Sequence, residues 1–142
     1  MLHATYDPEY IRNVLSHTKV IALVGASANQ ARPSYGVMKF LLHRGFKVVP
    51  INPGLAGQEL LGQKVYGTLL DVPGPIDMVE VFRASDAVPA LVDEILALAP
   101  LPKTIWMQLG VFHTEAGAIA EAKGIQVVMN RCPVIEMNNL KM

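Results

Sequence analysis

Short, continuous apolar runs recur along the chain, and between them apolar residues return every three or four positions. Val20-Ile21-Ala22-Leu23-Val24 is apolar throughout and stops at Gly25, the pattern of a strand buried on both faces. Lys47–Ile51, Lys64–Tyr66, Met78–Phe82, Thr104–Leu109 and Ile125–Met129 repeat it, which predicts five further strands, the last of them terminal. The helical signals fall between. Asp7-Pro8-Glu9 opens a short helix to about Ser16, because Asp caps free N–H groups and proline suits the first turn. Val37, Phe40 and Leu41, widened by Met38 and Leu42, form the stripe of a helix that stops at Gly45. Ser85 or Asp86 is expected to cap a helix through about Leu98, with Pro89 near its first turn, and a last helix runs from Thr114 to Lys123. Positions 53–62 carry three glycines and are predicted to be loop.

Strands alternating with helices predict an α/β fold: an open, mainly parallel sheet with helices on both faces and right-handed crossovers. One domain over residues 1–142 accounts for the length. Ligands of such sheets bind beyond the carboxyl ends of the strands, near the point where strand order reverses. That selects Gly25 to Gly36, Asn52-Pro53, Phe82-Arg83-Ala84, Gln108 to His113 and Asn130-Arg131-Cys132.

Composition narrows the function classes. Hydrophobic residues make up 51% of the chain and mean hydropathy is +0.33, yet no run approaches the roughly 18 apolar residues of a membrane span. No membrane association is therefore expected, and apolar richness leaves a homo-oligomer open. The N-terminus lacks a signal-peptide pattern and there is one cysteine, so a cytoplasmic setting is expected. Twelve basic and twelve acidic residues cancel, which argues against a nucleic-acid binder. Their distribution is uneven, however. No acid occurs between Glu9 and Glu59, while Arg12, Lys19, Arg32, Lys39, Arg44 and Lys47 do, so this part of the chain should attract anions.

The segment after the first strand reads VGASANQARPSYG. A dinucleotide fold needs three glycines at a fixed spacing and an acid about 20 residues on. Here Gly25 is followed by Ala26, Ser27, Ala28, Asn29 and Gln30, and strand two ends in Asn52. A P-loop fails as well, because no Gly-Lys-Ser/Thr follows. What remains is a polar loop running into a helix N-terminus, which suits a phosphate or is simply a solvated surface loop.

Five motifs in order add to this. Gly25-Ala26-Ser27, Arg32-Pro33-Ser34-Tyr35-Gly36, Asn52-Pro53, Val81-Phe82-Arg83 and Asn130-Arg131-Cys132-Pro133 together resemble the small stand-alone CoA-binding proteins. That family is similar in turn to the CoA-binding domain of the succinyl-CoA synthetase alpha subunit. The resemblance spans about Lys19 to Glu136 and implies a three-layer Rossmann-like domain with coenzyme A as ligand. It implies that Gly25, Ala26 and Ser27 approach the diphosphate with N–H and hydroxyl groups, and that Arg32, Pro33, Ser34 and Tyr35 supply charge and donors at the helix start. Asn52 and Pro53 would lie by the adenosine portion, where an amide avoids repelling the ribose phosphate. Phe82 and Arg83 would line the cleft beside the pantetheine, and Gln108 and Gly110 would flank its far end. One departure is Leu55, which stands where the synthetase segment has lysine and so removes a phosphate or adenine contact.

Each remaining candidate has a plainer alternative. Cys132 matches the Cys-Pro near the thiol end of CoA, where a mixed disulfide is conceivable, but a buried cysteine at a turn is the simpler reading. His113 is either an acid–base group or a solvated loop histidine, and Trp106 belongs to packing. The expected function is binding of CoA, or of its thioester or disulfide, as a carrier, sensor or thiol-protecting module without independent catalysis. The alternative is an enzyme acting on acyl-CoA or using NAD(P). Ligation in the synthetase needs a phosphorylated histidine from a second domain and a nucleotide-binding partner subunit, and this sequence encodes neither.

Overall fold

The computed structural model describes residues 1–142. Five parallel strands form one sheet in the order β2-β1-β5-β6-β7. They are β1 (Val20–Val24), β2 (Lys47–Ile51), β5 (Met78–Val81), β6 (Thr104–Met107) and β7 (Gln126–Val128). The chain leaves β1 to lay β2 on one side and then returns to place β5 on the other, so strand order reverses between β1 and β5. The intervening β3 (Glu59–Leu60) and β4 (Gln63–Lys64) pair with each other, antiparallel, as a separate two-residue ribbon.

This corrects two expectations between positions 53 and 66. The segment assigned to loop contains β3, and the predicted strand Lys64–Tyr66 does not join the sheet as a strand. Its pairing with the sheet is limited to a single parallel bridge from Tyr66 to Ile51. Pro53, Gly54, Gly57 and Gly62 favour turns in this stretch, and the Gly62 backbone adopts φ +77°, which turns the chain back on itself before a longer strand can form.

Alternation along the strands divides the core in two, because successive side chains point to opposite faces. Ile21, Leu23, Val48, Met78, Trp106 and Val128 meet helices α1 (Pro8–Ser16), α2 (Pro33–His43) and α5 (Pro133–Asn139). Ala22, Val24, Val49, Val79, Val81, Ile105, Met107 and Val127 meet α3 (Val88–Leu96) and α4 (Thr114–Ala122). The result is the expected three-layer, Rossmann-like α/β arrangement. No helix is long and apolar enough to cross a membrane.

The helix ends show which local signals mattered. Asp7 caps α1 by accepting from the Glu9 amide at 2.9 Å, with Pro8 in the first turn. Neither Ser85 nor Asp86 caps α3. They form a 3-10 turn (Ser85–Ala87) ahead of it, and Ser85 Oγ instead accepts from the Phe112 amide at 3.0 Å, joining two strand-end loops. Helix α5 was not predicted from the sequence. Pro133 starts it and Met137 is buried against the sheet, so a seven-residue helix with one anchoring face is formed by tertiary packing more than by its own pattern.

Candidate functional site

The reversal point is built by two residues that touch through their backbones. Gly25, just past β1, has φ +91°, and a Cβ placed on it would lie 2.1 Å from the carbonyl oxygen of Phe82, just past β5. Only glycine permits that approach. The Gly25 and Ala26 amides both donate to the carbonyl of Ile51, at 3.2 and 3.3 Å. This overturns the expectation that those two N–H groups face a ligand: they bind the loop to the end of β2 instead.

Beyond Ala26 the loop holds its own shape. Ser27 Oγ accepts from the Asn29 amide and Asn29 Oδ1 from the Ala31 amide, each at 3.0 Å, the side-chain turns that Ser and Asn favour. Asn52 clasps the loop from the end of β2. Its Nδ2 donates to the Ala26 carbonyl at 2.7 Å, and its Oδ1 accepts from the Gly54 amide at 2.8 Å. Asn52 therefore has a structural duty that an aspartate, with no donor, could not perform.

Helix α2 begins immediately after, with Arg32 at the cap position and Pro33 in the first turn, and no side chain caps it. The amides of Ser27, Ala28 and Ser34 have no partner within the protein. Gly25, Ser27, Arg32, Pro33, Ser34 and Phe82 enclose a polar pocket of about 260 Å³ at this helix start. Ser34 is buried, whereas Arg32 is exposed at the rim and has neither an acidic partner nor a side-chain hydrogen bond. Free helix-start donors, a hydroxyl and an unpaired guanidinium at one pocket are what an anion needs.

A second pocket, about 290 Å³, opens on the other side of the Gly25–Phe82 contact. Pro53 and Arg83 line it together with Gly67, Thr68, Leu69 and Glu94. Arg83 is exposed and, like Arg32, lacks an acidic partner. Gly67, Thr68 and Glu94 were not singled out from the sequence, since none follows a strand of the main sheet. Leu55, where the resemblance implied a lost ligand contact, lies half-buried and packs against the core.

Gln108, Gly110 and Cys132 line neither pocket. Gln108 is buried, with its Oε1 lacking a hydrogen-bond partner. Gly110, at φ +83°, is held by its amide donating to Asn130 Oδ1 at 2.7 Å, which ties the end of β6 to the end of β7. Tyr35 is half-buried and packs against the core. His113 is half-buried; its Nδ1 accepts from the Ala116 amide at 3.1 Å and caps α4, while its Nε2 has no hydrogen-bond partner within the protein.

Cys132 is 8% exposed and lies beside Glu80, the one acid within the central strands. Glu80 is fully buried, and neither carboxylate oxygen makes a hydrogen bond. Burial raises its pKa well above the usual carboxylate range and the adjacent Cys132 adds in the same direction. The nearby Val81 amide offsets part of this without forming a well-directed bond. An acid inside the run Met78-Val79-Glu80-Val81-Phe82 was the sequence signal for this group.

With this geometry in view, the likenesses to known proteins become informative. Residues 19–138 match a family described as CoA binding domain. The Bacillus subtilis protein YneT is 37% identical over 123 residues, covering 86% of this chain and 87% of that one. An ADP-forming acetate–CoA ligase of Methanocaldococcus jannaschii is 33% identical over 86 residues, which are 61% of this chain but only 12% of the ligase. Among solved structures, a Thermus thermophilus protein superposes with a TM-score of 0.88 at 36% identity, covering 95% of this chain and 99% of that one. A Pyrococcus horikoshii protein gives 0.88 at 35% identity, with 96% and 94% covered.

Proposed function

Because this chain belongs to the CoA-binding domain family, we propose that it binds coenzyme A, or a CoA thioester or disulfide, across the carboxyl ends of its parallel strands. The diphosphate occupies the pocket enclosed by Gly25, Ser27, Arg32, Pro33, Ser34 and Phe82. The observation that carries this assignment is the start of α2: uncapped, with unpartnered amides, a buried serine and an unpaired arginine converging on one concavity. Arg32 forms a bidentate, charge-assisted contact there, which a lysine would not reproduce. Pro53 and Arg83 receive the adenosine-side groups in the adjoining pocket, and Asn52 acts indirectly by holding the loop.

The chain acts as a binding module, a carrier, sensor or protector of the CoA thiol. Two features support a module over an enzyme. His113 lines neither pocket and uses its Nδ1 to cap α4, and Cys132 is buried next to an acid, so neither candidate reactive group faces the pockets.

Mass spectrometry of whatever is released from protein purified without added cofactor tests the assignment, with CoA or its disulfide expected. Titration calorimetry with CoA then compares variants: Arg32→Ala should weaken binding by about 1.5 to 3 kcal/mol, and Cys132→Ser should leave affinity intact. Recovery of NAD(P), or an Arg32→Ala variant that binds CoA as tightly as the parent, would overturn the assignment.

A further inference from the structure

A cavity of about 380 Å³ lies at the opposite end of the strand edge, beside the last residues of β7. Leu2, Phe112 and Met129 give it apolar walls. Leu2 is 88% and Phe112 57% exposed, so large apolar surfaces face water and would gain from being covered.

Several of the polar groups around this cavity bond to one another. Tyr6 Oη accepts from the Met129 amide at 2.7 Å and lies 2.6 Å from His3 Nδ1. His3 Nε2 in turn lies 3.0 Å from Glu121. Arg131 donates to the carbonyls of Asn130 and Ala4, at 2.8 and 3.1 Å, with its guanidinium 4.9 Å above the Tyr6 ring. A group entering here meets open apolar walls at Leu2, Phe112 and Met129, and an apolar occupant gains by covering them.

Position indicates where that occupant comes from. The phosphate pocket sits over β1 and β5, and β7 lies three strands from β1 in the sheet. At about 4.8 Å per strand the separation is roughly 14 Å, a distance that an extended pantetheine arm spans. A ligand whose diphosphate rests at Arg32 and whose pantetheine runs along the strand ends toward β7 brings its sulfur near Asn130, which lines this cavity and fixes the Gly110 turn.

We propose that the cavity receives the acyl chain of a CoA thioester, so that the protein prefers a medium-chain acyl-CoA to free CoA. This rests on the CoA assignment above. Titration calorimetry with free CoA and with acetyl-, butyryl-, hexanoyl- and octanoyl-CoA reads it directly. Each methylene buried should tighten binding up to about fourfold, until the cavity is full. Phe112→Ser and Leu2→Ser, both surface substitutions, should flatten the series while leaving free CoA binding unchanged. A flat series in the parent protein with free CoA still bound overturns this proposal alone, as does a series equally steep in both variants. Failure of free CoA and every thioester to bind overturns the CoA assignment as well.

Discussion

A methyl group added to Gly25 would stand 2.1 Å from the Phe82 carbonyl oxygen, inside any permissible contact. Gly110 also has a positive φ, +83°, but a Cβ there meets nothing within 4 Å. The two positions thus separate backbone strain from collision. Gly110→Ala should cost about 1–2 kcal/mol, the left-handed penalty alone. Gly25→Ala adds displacement of β5 from β1 and should cost at least about 3 kcal/mol. Urea denaturation of both variants measures the difference; equal losses would mean that the β1–β5 junction yields easily.

Asn52 joins β2 to the loop after β1 through one donated and one accepted hydrogen bond. Asn52→Asp keeps the shape and the acceptor but turns the donor into a carboxylate oxygen facing the Ala26 carbonyl. A loss of about 1–3 kcal/mol in stability is expected, and on the proposed assignment CoA binding should weaken with it, because the loop that shapes the pocket at Ser27 and Arg32 is released. Were Asn52→Asp as stable as the parent, the clasp would contribute nothing.

The short runs at Val20–Val24 and Met78–Val81, apolar but for Glu80, were legible because four or five buried residues bounded by turn signals are the length of a strand and too few for a helix. The same transparency located the strand-end loops, and with them Gly25, Arg32 and Phe82. Contacts between segments distant in sequence were not legible. Nothing local indicates that the Gly25 and Ala26 amides turn to Ile51, or that Ser85 binds the Phe112 amide and not its own helix. Helix α5 was hidden for a related reason: its seven residues are too few for a helical period to stand out, and packing decides its conformation.

Glu80 makes stability depend on pH in a direction opposite to that of a paired carboxylate. Burial raises its folded-state pKa well above the usual range, while in the unfolded chain it titrates near 4.3. Between those two values the folded protein keeps a proton that the unfolded chain releases. Stability is therefore full below about pH 4.3 and falls as pH rises, by up to about 1.4 kcal/mol per pH unit for this one group, until the folded pKa is passed. Glu80→Gln should remove that slope and be more stable than the parent at neutral pH. Urea midpoints taken at intervals from pH 5 to 8 test it, and parallel curves for the two proteins would contradict it.

Trp106 fixes the turn that carries Cys132. Its ring is fully buried and Nε1 donates to the Arg131 carbonyl at 2.9 Å, so the residue preceding the cysteine is pinned to the middle of β6. Trp106→Phe removes the donor and leaves both a small void and an unpaired carbonyl, which together should cost about 2–4 kcal/mol. The loss falls on the Arg131-Cys132 turn in particular, and the thiol, 8% exposed in the parent, becomes easier to reach. Labelling of Cys132 by an aromatic disulfide reagent, followed by absorbance in the absence of denaturant, should accelerate several-fold in Trp106→Phe. Ile105→Val, a core change on the other face of the same strand, should leave labelling slow. Equal acceleration in both variants would show that global opening, not this turn, controls access to the cysteine.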